Sequence, residues 1–205
     1  YDMYSGFAAN PNIYATVLIG LGCEGCTPEE MKKAIEAKTN KPLEVVVIQD
    51  EGGTVNAINK AVKAARKFVQ EASLVKKEEC PISDLYVALE CGGSDATSGL
   101  AANPVVGKTS DIVVDLGGSA IMSETTEFIG AEHILAKRAA TPEIKKQIIG
   151  ICRDLEEHLA NVNQNLRTGQ PTPGNKEGGI STIEEKSLGC IYKGGTRPVM
   201  EVLEY

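Results

Sequence analysis

Tyr14-Ala15-Thr16-Val17-Leu18-Ile19-Gly20 is an apolar run that closes on glycine, passes through Leu21-Gly22-Cys23-Glu24-Gly25-Cys26, and meets Thr27-Pro28-Glu29-Glu30. A short apolar run without polar alternation reads as a strand buried on both faces. Thr27 is placed to cap a helix, Pro28 suits its first turn, and the two glutamates suit the positive end of its dipole. The strand–loop–helix unit recurs. A valine-rich strand over 43–48 turns through Gln49-Asp50-Glu51-Gly52-Gly53 into a helix predicted over 54–73. A third strand is predicted over 84–90, closing on Cys91-Gly92-Gly93-Ser94-Asp95, with a short helix over 100–108. A fourth strand is predicted over 112–116 and a fifth, shorter one over 119–123. Helices follow over 127–137, 142–164 and 182–190, with a Gly/Pro/Asn-rich loop at 169–179 and a closing strand over 199–205. This alternation predicts an α/β fold: one domain over 1–205, with a mostly parallel sheet flanked by helices in Rossmann-like layers. Within it, 127–190 forms a helical and loop subregion.

The composition narrows the function. At 205 residues and 42% hydrophobic content, the chain is long and apolar enough to bury a core. A formal charge of -7 disfavours nucleic acid, which needs clustered Lys and Arg, and also anionic membranes. No run reaches the ~20 apolar residues of a membrane span. Six irregularly spaced cysteines fit a reducing cytoplasm better than a disulfide scaffold. The opening Tyr1-Asp2-Met3-Tyr4 reads as internal sequence, so the chain is expected to be an excised part of a longer protein.

Ligands of such folds bind beyond the carboxyl ends of the strands. Here those ends carry Cys23, Glu24 and Cys26; Asp50 and Glu51; Glu90, Cys91, Ser94 and Asp95; and Ser123, Glu124 and Glu127, with His133 further on. Carboxylates, thiols and an imidazole brought to one edge suit a metal or acid/base site. Plainer readings stand beside this one. The paired glycines suit tight turns, Asp95 suits a helix cap, Glu24 a solvated loop, and Cys80 and Cys190 buried thiols. His158 lies on a charged helix and reads as surface. Lys176, in Pro173-Gly174-Asn175-Lys176, suits either a substrate carboxylate or an ordinary connector. Neither glycine-rich phosphate motif follows the first strand, which disfavours nucleotide binding.

Gly20-Leu-Gly-Cys-Glu24, Glu90-Cys-Gly-Gly-Ser-Asp95, Ala102-Asn-Pro104, Ser123-Glu124, Gly130-Ala-Glu-His133, Pro173-Gly-Asn-Lys176, Gly178-Gly179 and Glu185-Lys-Ser-Leu-Gly189 resemble, in that order, the altronate/galactarate dehydratase family. That family also holds the large subunit of a sulfolactate sulfo-lyase. The resemblance implies a lyase that removes water from a sugar acid with a divalent metal, Fe(2+) in character; the sulfo-lyase branch would release sulfite instead. It implies Cys23, Cys91, Glu124 and His133 around the metal, with Glu124 or His133 as the general base. Glu24, Ser94, Asp95, Asn103 and Lys176 would contact substrate. An iron–sulfur cluster on Cys23, Cys26, Cys91 and Cys190 is disfavoured, because their spacing fits no standard cluster pattern. A non-catalytic binding subunit is the reading of a different kind. The expected partners are a sugar acid or sulfolactate, and either a second copy of the chain in a homodimer or a small partner subunit.

Overall fold

The computed structural model describes residues 1–203. Where the sequence reading expects one domain, backbone contacts divide the chain into two compact units, Tyr1–Glu78 and Glu79–Tyr205. Each is α/β, and each holds a pair of short parallel strands in place of one larger sheet.

The first unit runs α1 (Asp2–Ala9), β1 (Thr16–Gly20), α2 (Pro28–Glu36), β2 (Leu43–Val47) and α3 (Thr54–Ala72). β1 and β2 pair in parallel from Thr16 beside Leu43 to Gly20 beside Val47. Thr27 caps α2 as its sequence suggests: its Oγ1 accepts the Glu30 N–H and donates to the Glu30 carboxylate. Side chains alternate across a strand, so the pair presents two apolar faces. Leu18 and Leu43 pack with Ala8, Met31 and Ile35 of α1 and α2. Val17 and Val46 pack with Ala57 and Ala61 of α3.

The second unit runs β3 (Tyr86–Leu89), α4 (Asn103–Asp115), β4 (Ser119–Met122), α5 (Glu132–Leu135), α6 (Pro142–Asn161), α7 (Leu166–Gly169), α8 (Pro173–Glu177) and α9 (Ile183–Cys190). β3 and β4 are parallel, with Tyr86 beside Ser119 and Leu89 beside Met122. The run 112–116, expected as a strand, is the last turn of α4 and the residue after it. A five-residue apolar run fits either state. Gly107, Ser110, Asp111 and Val113 are buried at helical spacing, and Gly117, at φ +95, ends the helix. The helix expected over 127–137 is broken at Gly130, φ +103, into a 3₁₀ turn before it and the short α5 after it. The loop at 169–179 contains α8. Of the closing strand, only a bridge between Ala139 and Val199 forms, and 204–205 lie outside the described residues.

The core of this unit gathers Phe128, Ile129, Leu135, Ile148, Cys152, Ile183 and Ile191. Polar ties then fasten the C-terminal segment to it. Ser110 donates to the Lys193 carbonyl at 2.8 Å, and Arg138 donates to the carbonyls of Gly194 and Arg197 at 2.6 and 2.7 Å. Asp111 accepts from the Thr196 amide and hydroxyl at 2.7 and 2.9 Å. These ties bring the 3₁₀ turn at Ile191–Gly194 against α4. Among the described residues no helix is long and apolar enough to cross a membrane.

Candidate functional site

The parallel register of β3 and β4 sets the first contact. Leu89 lies beside Met122, and Ser123 donates through both its amide and its hydroxyl to the Leu89 carbonyl. Two residues on, Cys91 and Glu124 meet. The Cys91 amide donates to Glu124 Oε2 at 2.6 Å, and Cys91 Sγ stands 3.8 Å from Glu124 Oε1. The 3₁₀ turn after Glu124 then carries Glu127 inward. Ligand atoms of Cys91, Glu124 and Glu127 lie within 4.8 Å of one another, and this is the one such cluster among the described residues.

Glu127 is buried, and so is its cation. Lys193 Nζ donates to both Glu127 oxygens, at 2.8 and 2.6 Å, and both side chains are 4% exposed. Cys190 donates its S–H to Glu127 Oε1 at 3.3 Å. Burial pushes the Cys91 thiol up to about 11, with Glu127 and Glu124 adding to the effect. Burial and Glu127 push Cys190 up to about 12, against the opposing fields of Lys193 and Lys186. Both thiols therefore stand protonated beside carboxylates.

A cavity of about 220 Å³ opens next to this network, with Cys190 in its wall. Ser94, Asp95 and Asn103, all expected to meet substrate, line it, as do Ser98, Glu185 and Lys186. Asn103 is fixed by donating to the Gly189 carbonyl at 3.0 Å. Asp95 Oδ1 accepts from the amides and hydroxyls of Thr97 and Ser98. Those bonds, Thr97 foremost, hold its carboxyl below the usual range. Asp95 thus shapes its own turn as well as the cavity wall.

Two other expected residues of the second unit stand apart from the cluster and the cavity lining. Lys176 is exposed on α8; its neighbour Asn175 is the residue turned inward, donating to the Ser94 carbonyl at 3.0 Å. His133 is exposed on α5 and is not part of the cluster. Cys23 and Glu24 belong to the first unit. There Glu24 accepts the amides of Leu21, Gly22 and Cys23 at 2.9, 2.6 and 2.9 Å, closing the loop after β1. Backbone amides, its own and that of Gly22 first, hold its carboxyl below the usual range. Cys23 is exposed and accepts from Gln49 at 3.7 Å. Lys193 and Lys186 were not singled out by the sequence reading. Lys193 stands in Tyr192-Lys193-Gly194-Gly195, which carries no motif, and nothing local distinguishes Lys186 within Glu185-Lys-Ser-Leu-Gly189.

The donor set can be tested against a divalent metal. One sulfur and two carboxylates are acceptable ligands for iron(II) or zinc, and three protein ligands leave room for a substrate. Lys193, the Cys190 S–H and the Cys91 amide occupy only part of the carboxylates' lone pairs, leaving Glu127 an open position on Oε2. The residues fit, provided the ion displaces the Cys91 proton.

A protonatable acid–thiol cluster bordering a small cavity is an arrangement able to do acid/base chemistry on a small molecule. Comparison with known proteins places the chain more closely. Residues 82–205 match the family described as D-galactarate/Altronate dehydratase, C-terminal, and residues 1–73 match D-galactarate dehydratase/Altronate hydrolase, second domain. The chain belongs to the D-galactarate/altronate dehydratase family. It is 40% identical over 199 residues to an altronate dehydratase of Bacillus subtilis, covering 96% of this chain and 39% of that protein. It is 38% identical to the galactarate dehydratase (L-threo-forming) of Escherichia coli, covering 95% and 38%. It is 37% identical to the (2R)-sulfolactate sulfo-lyase subunit beta of Chromohalobacter salexigens, covering 94% and 49%. The chain thus spans about two fifths to one half of these relatives. The two matched regions meet between 73 and 82, where the two compact units also divide.

Proposed function

We propose that this chain carries part of the active site of a hydro-lyase that converts a sugar acid, such as altronate or galactarate, to a 2-keto-3-deoxy acid. The observation that carries the reading is the Cys91–Glu124–Glu127 cluster at the carboxyl ends of two parallel strands, beside a cavity lined by Ser94, Asp95 and Asn103. Dehydration needs a base at the carbon next to the carboxylate and a proton for the departing hydroxyl.

Glu124 suits the first task. Its Oε2 is pinned by the Cys91 amide, which aims the rest of the carboxylate. The proton it takes from the carbon next to the carboxylate passes to the hydroxyl on the neighbouring carbon, which leaves as water. The C–H and C–O bonds break, a C=C bond forms, and the enol becomes the keto acid. Glu127 is locked by Lys193 and holds charge in place rather than moving protons. Cys91 and Glu127, two of the three donors of the cluster, would hold a divalent ion of the iron(II) kind, leaving Glu124 free to act as the base. Such an ion stabilises the negative charge that develops on the substrate oxygens. Ser94 and Asn103 orient hydroxyl groups.

In the complete gene product, supplied with iron(II) and kept free of oxygen, Glu124→Gln is expected to lower keto-acid formation from the preferred sugar acid about 10²- to 10⁴-fold. Unchanged turnover rules out Glu124 as the base. A second reading is favoured by the 37% identity to the sulfo-lyase subunit: the same site expelling sulfite from sulfolactate, in company with a small subunit. Offering altronate, galactarate and sulfolactate side by side, and measuring keto acid and sulfite, separates the two. Either reaction suits a cytoplasmic enzyme working as a homodimer or with that partner.

A further inference from the structure

We infer that Lys186 is the residue that holds the anionic end, carboxylate or sulfonate, of the ligand in the cavity; this rests on the lyase reading above. Lys186 and Cys190 are four residues apart on α9, so they share one helix face. Both line the cavity. Cys190 in turn touches Glu127, so the face that carries Lys186 leads into the acid–thiol cluster.

The lysine is held in place by neutral groups. Its Nζ donates to Gln170 Oε1 at 3.0 Å and to Asn175 Oδ1 at 3.1 Å. Asn175 is buried, and its own amide nitrogen is tied to the Ser94 carbonyl, which leaves its oxygen for the lysine. An ammonium has three N–H donors, and two are used. Neither acceptor carries charge, and among the described residues Lys186 makes no ion pair. The result is an ordered cation with a spare donor and, among the described residues, no carboxylate at ion-pair distance.

The carboxylates in the same wall are engaged with their own loops. Asp95 accepts four bonds from Thr97 and Ser98, and Glu185 accepts the amide and hydroxyl of Ser181. Neither turns to Lys186. A lysine serving only to tie α9 to the preceding loop would do as well with a carboxylate partner. Two neutral amides keep its charge available to an incoming anion. The volume, about 220 Å³, lies below the usual ~300–1,000 Å³ of drug-sized pockets and suits a small acid.

The test is calorimetric titration of the complete gene product with galactarate, altronate and sulfolactate, using the natural protein, Lys186→Gln and Lys176→Gln. A charge-assisted bond of this kind is worth about 10- to 100-fold in affinity. Lys186→Gln is expected to weaken binding of the preferred acid by that factor, and to raise KM with kcat within about threefold. Thermal unfolding checks that the variant is folded, and Lys186→Arg, which keeps the charge, is expected to restore most of the affinity. A purely structural role would lower stability without this split. Equal affinity in Lys186→Gln, or a loss only in Lys176→Gln, overturns the inference and leaves the lyase reading intact. If the natural protein binds none of the three acids, the lyase reading falls and takes the inference with it.

Discussion

Replacing Lys193 by methionine removes one half of the Glu127–Lys193 pair and leaves a carboxylate in a site that water barely reaches. Both side chains are 4% exposed, and the ammonium contacts both carboxylate oxygens at 2.6 and 2.8 Å. After the change, the Cys190 S–H, at 3.3 Å, and the Cys91 thiol are the donors that remain nearby, and a thiol is a weak one. Removing one partner of a buried pair costs about 3–5 kcal/mol, because the survivor keeps its desolvation penalty. That is roughly a 10²- to 10³·⁵-fold loss in the folding equilibrium. For a chain of this size it corresponds to a fall in Tm of about 6–20 °C. Removing both charges tests the cause rather than the site. Glu127→Gln with Lys193→Met is expected to regain most of the loss, since no buried charge is left. Urea unfolding followed by circular dichroism, across the double-mutant cycle, measures the coupling. A loss below about 1 kcal/mol in Lys193→Met, or a double variant no better than the single, refutes the view that Lys193 neutralises a buried Glu127.

The thiols are expected to separate by reactivity. At pH 7 iodoacetamide should label the exposed Cys23, Cys26 and Cys80 first. Cys91, although only half-buried, should resist until the pH nears about 11; labelling as fast as Cys80 at pH 7, read by mass spectrometry, contradicts its placement. Asp111 is expected to give an acid-dependent contribution. Burial opposes its ionisation, but bonds from Thr196 and Arg197 outweigh this and hold its carboxyl below the usual range. A depressed native value means stability present above the ordinary carboxylate value near ~4 and lost as pH falls below it. The stability gap between the natural protein and Asp111→Asn, measured by urea unfolding, should therefore be wide at pH 7 and narrow towards pH 3; a constant gap sinks the argument. Gly107→Ala should cost about 1–3 kcal/mol, because the added methyl meets the Tyr192 carbonyl and Gly195. Unaltered thermal stability would mean the C-terminal segment is not packed against α4 there.

The first unit was largely legible because its signals are local. Thr27-Pro28-Glu29-Glu30 starts α2, a valine-rich run makes β2, and alanines at helical spacing give α3 a close face to Val46. The second unit was harder. Ile112-Val-Val-Asp-Leu116 has strand composition, and the packing of Gly107, Ser110 and Asp111 against the C-terminal segment favours the helix there. Tertiary contact overrides a weak local preference there.

The site divides along the same line. Cys91, Glu124 and Glu127 follow strand ends, and a parallel register brings strand ends together, so sequence position was enough to suggest them. Lys193 reaches Glu127 across 66 residues, and nothing local marks it. His133 enters through the family resemblance and through its place in the helix expected over 127–137, which would carry it close to Glu127. Gly130 interrupts that helix, and the imidazole is left in solvent. That Lys176 is exposed while Lys186 lines the cavity is likewise a product of the tertiary fold. The bond from Asn175 to Ser94 turns one residue of α8 inward and leaves the adjacent Lys176 out, while α9 brings Lys186 to the same wall from the other side. Residues that follow strand ends can be proposed from sequence. Those that neutralise or orient them come from whatever element packs behind, and charge balance in the folded site is what identifies them.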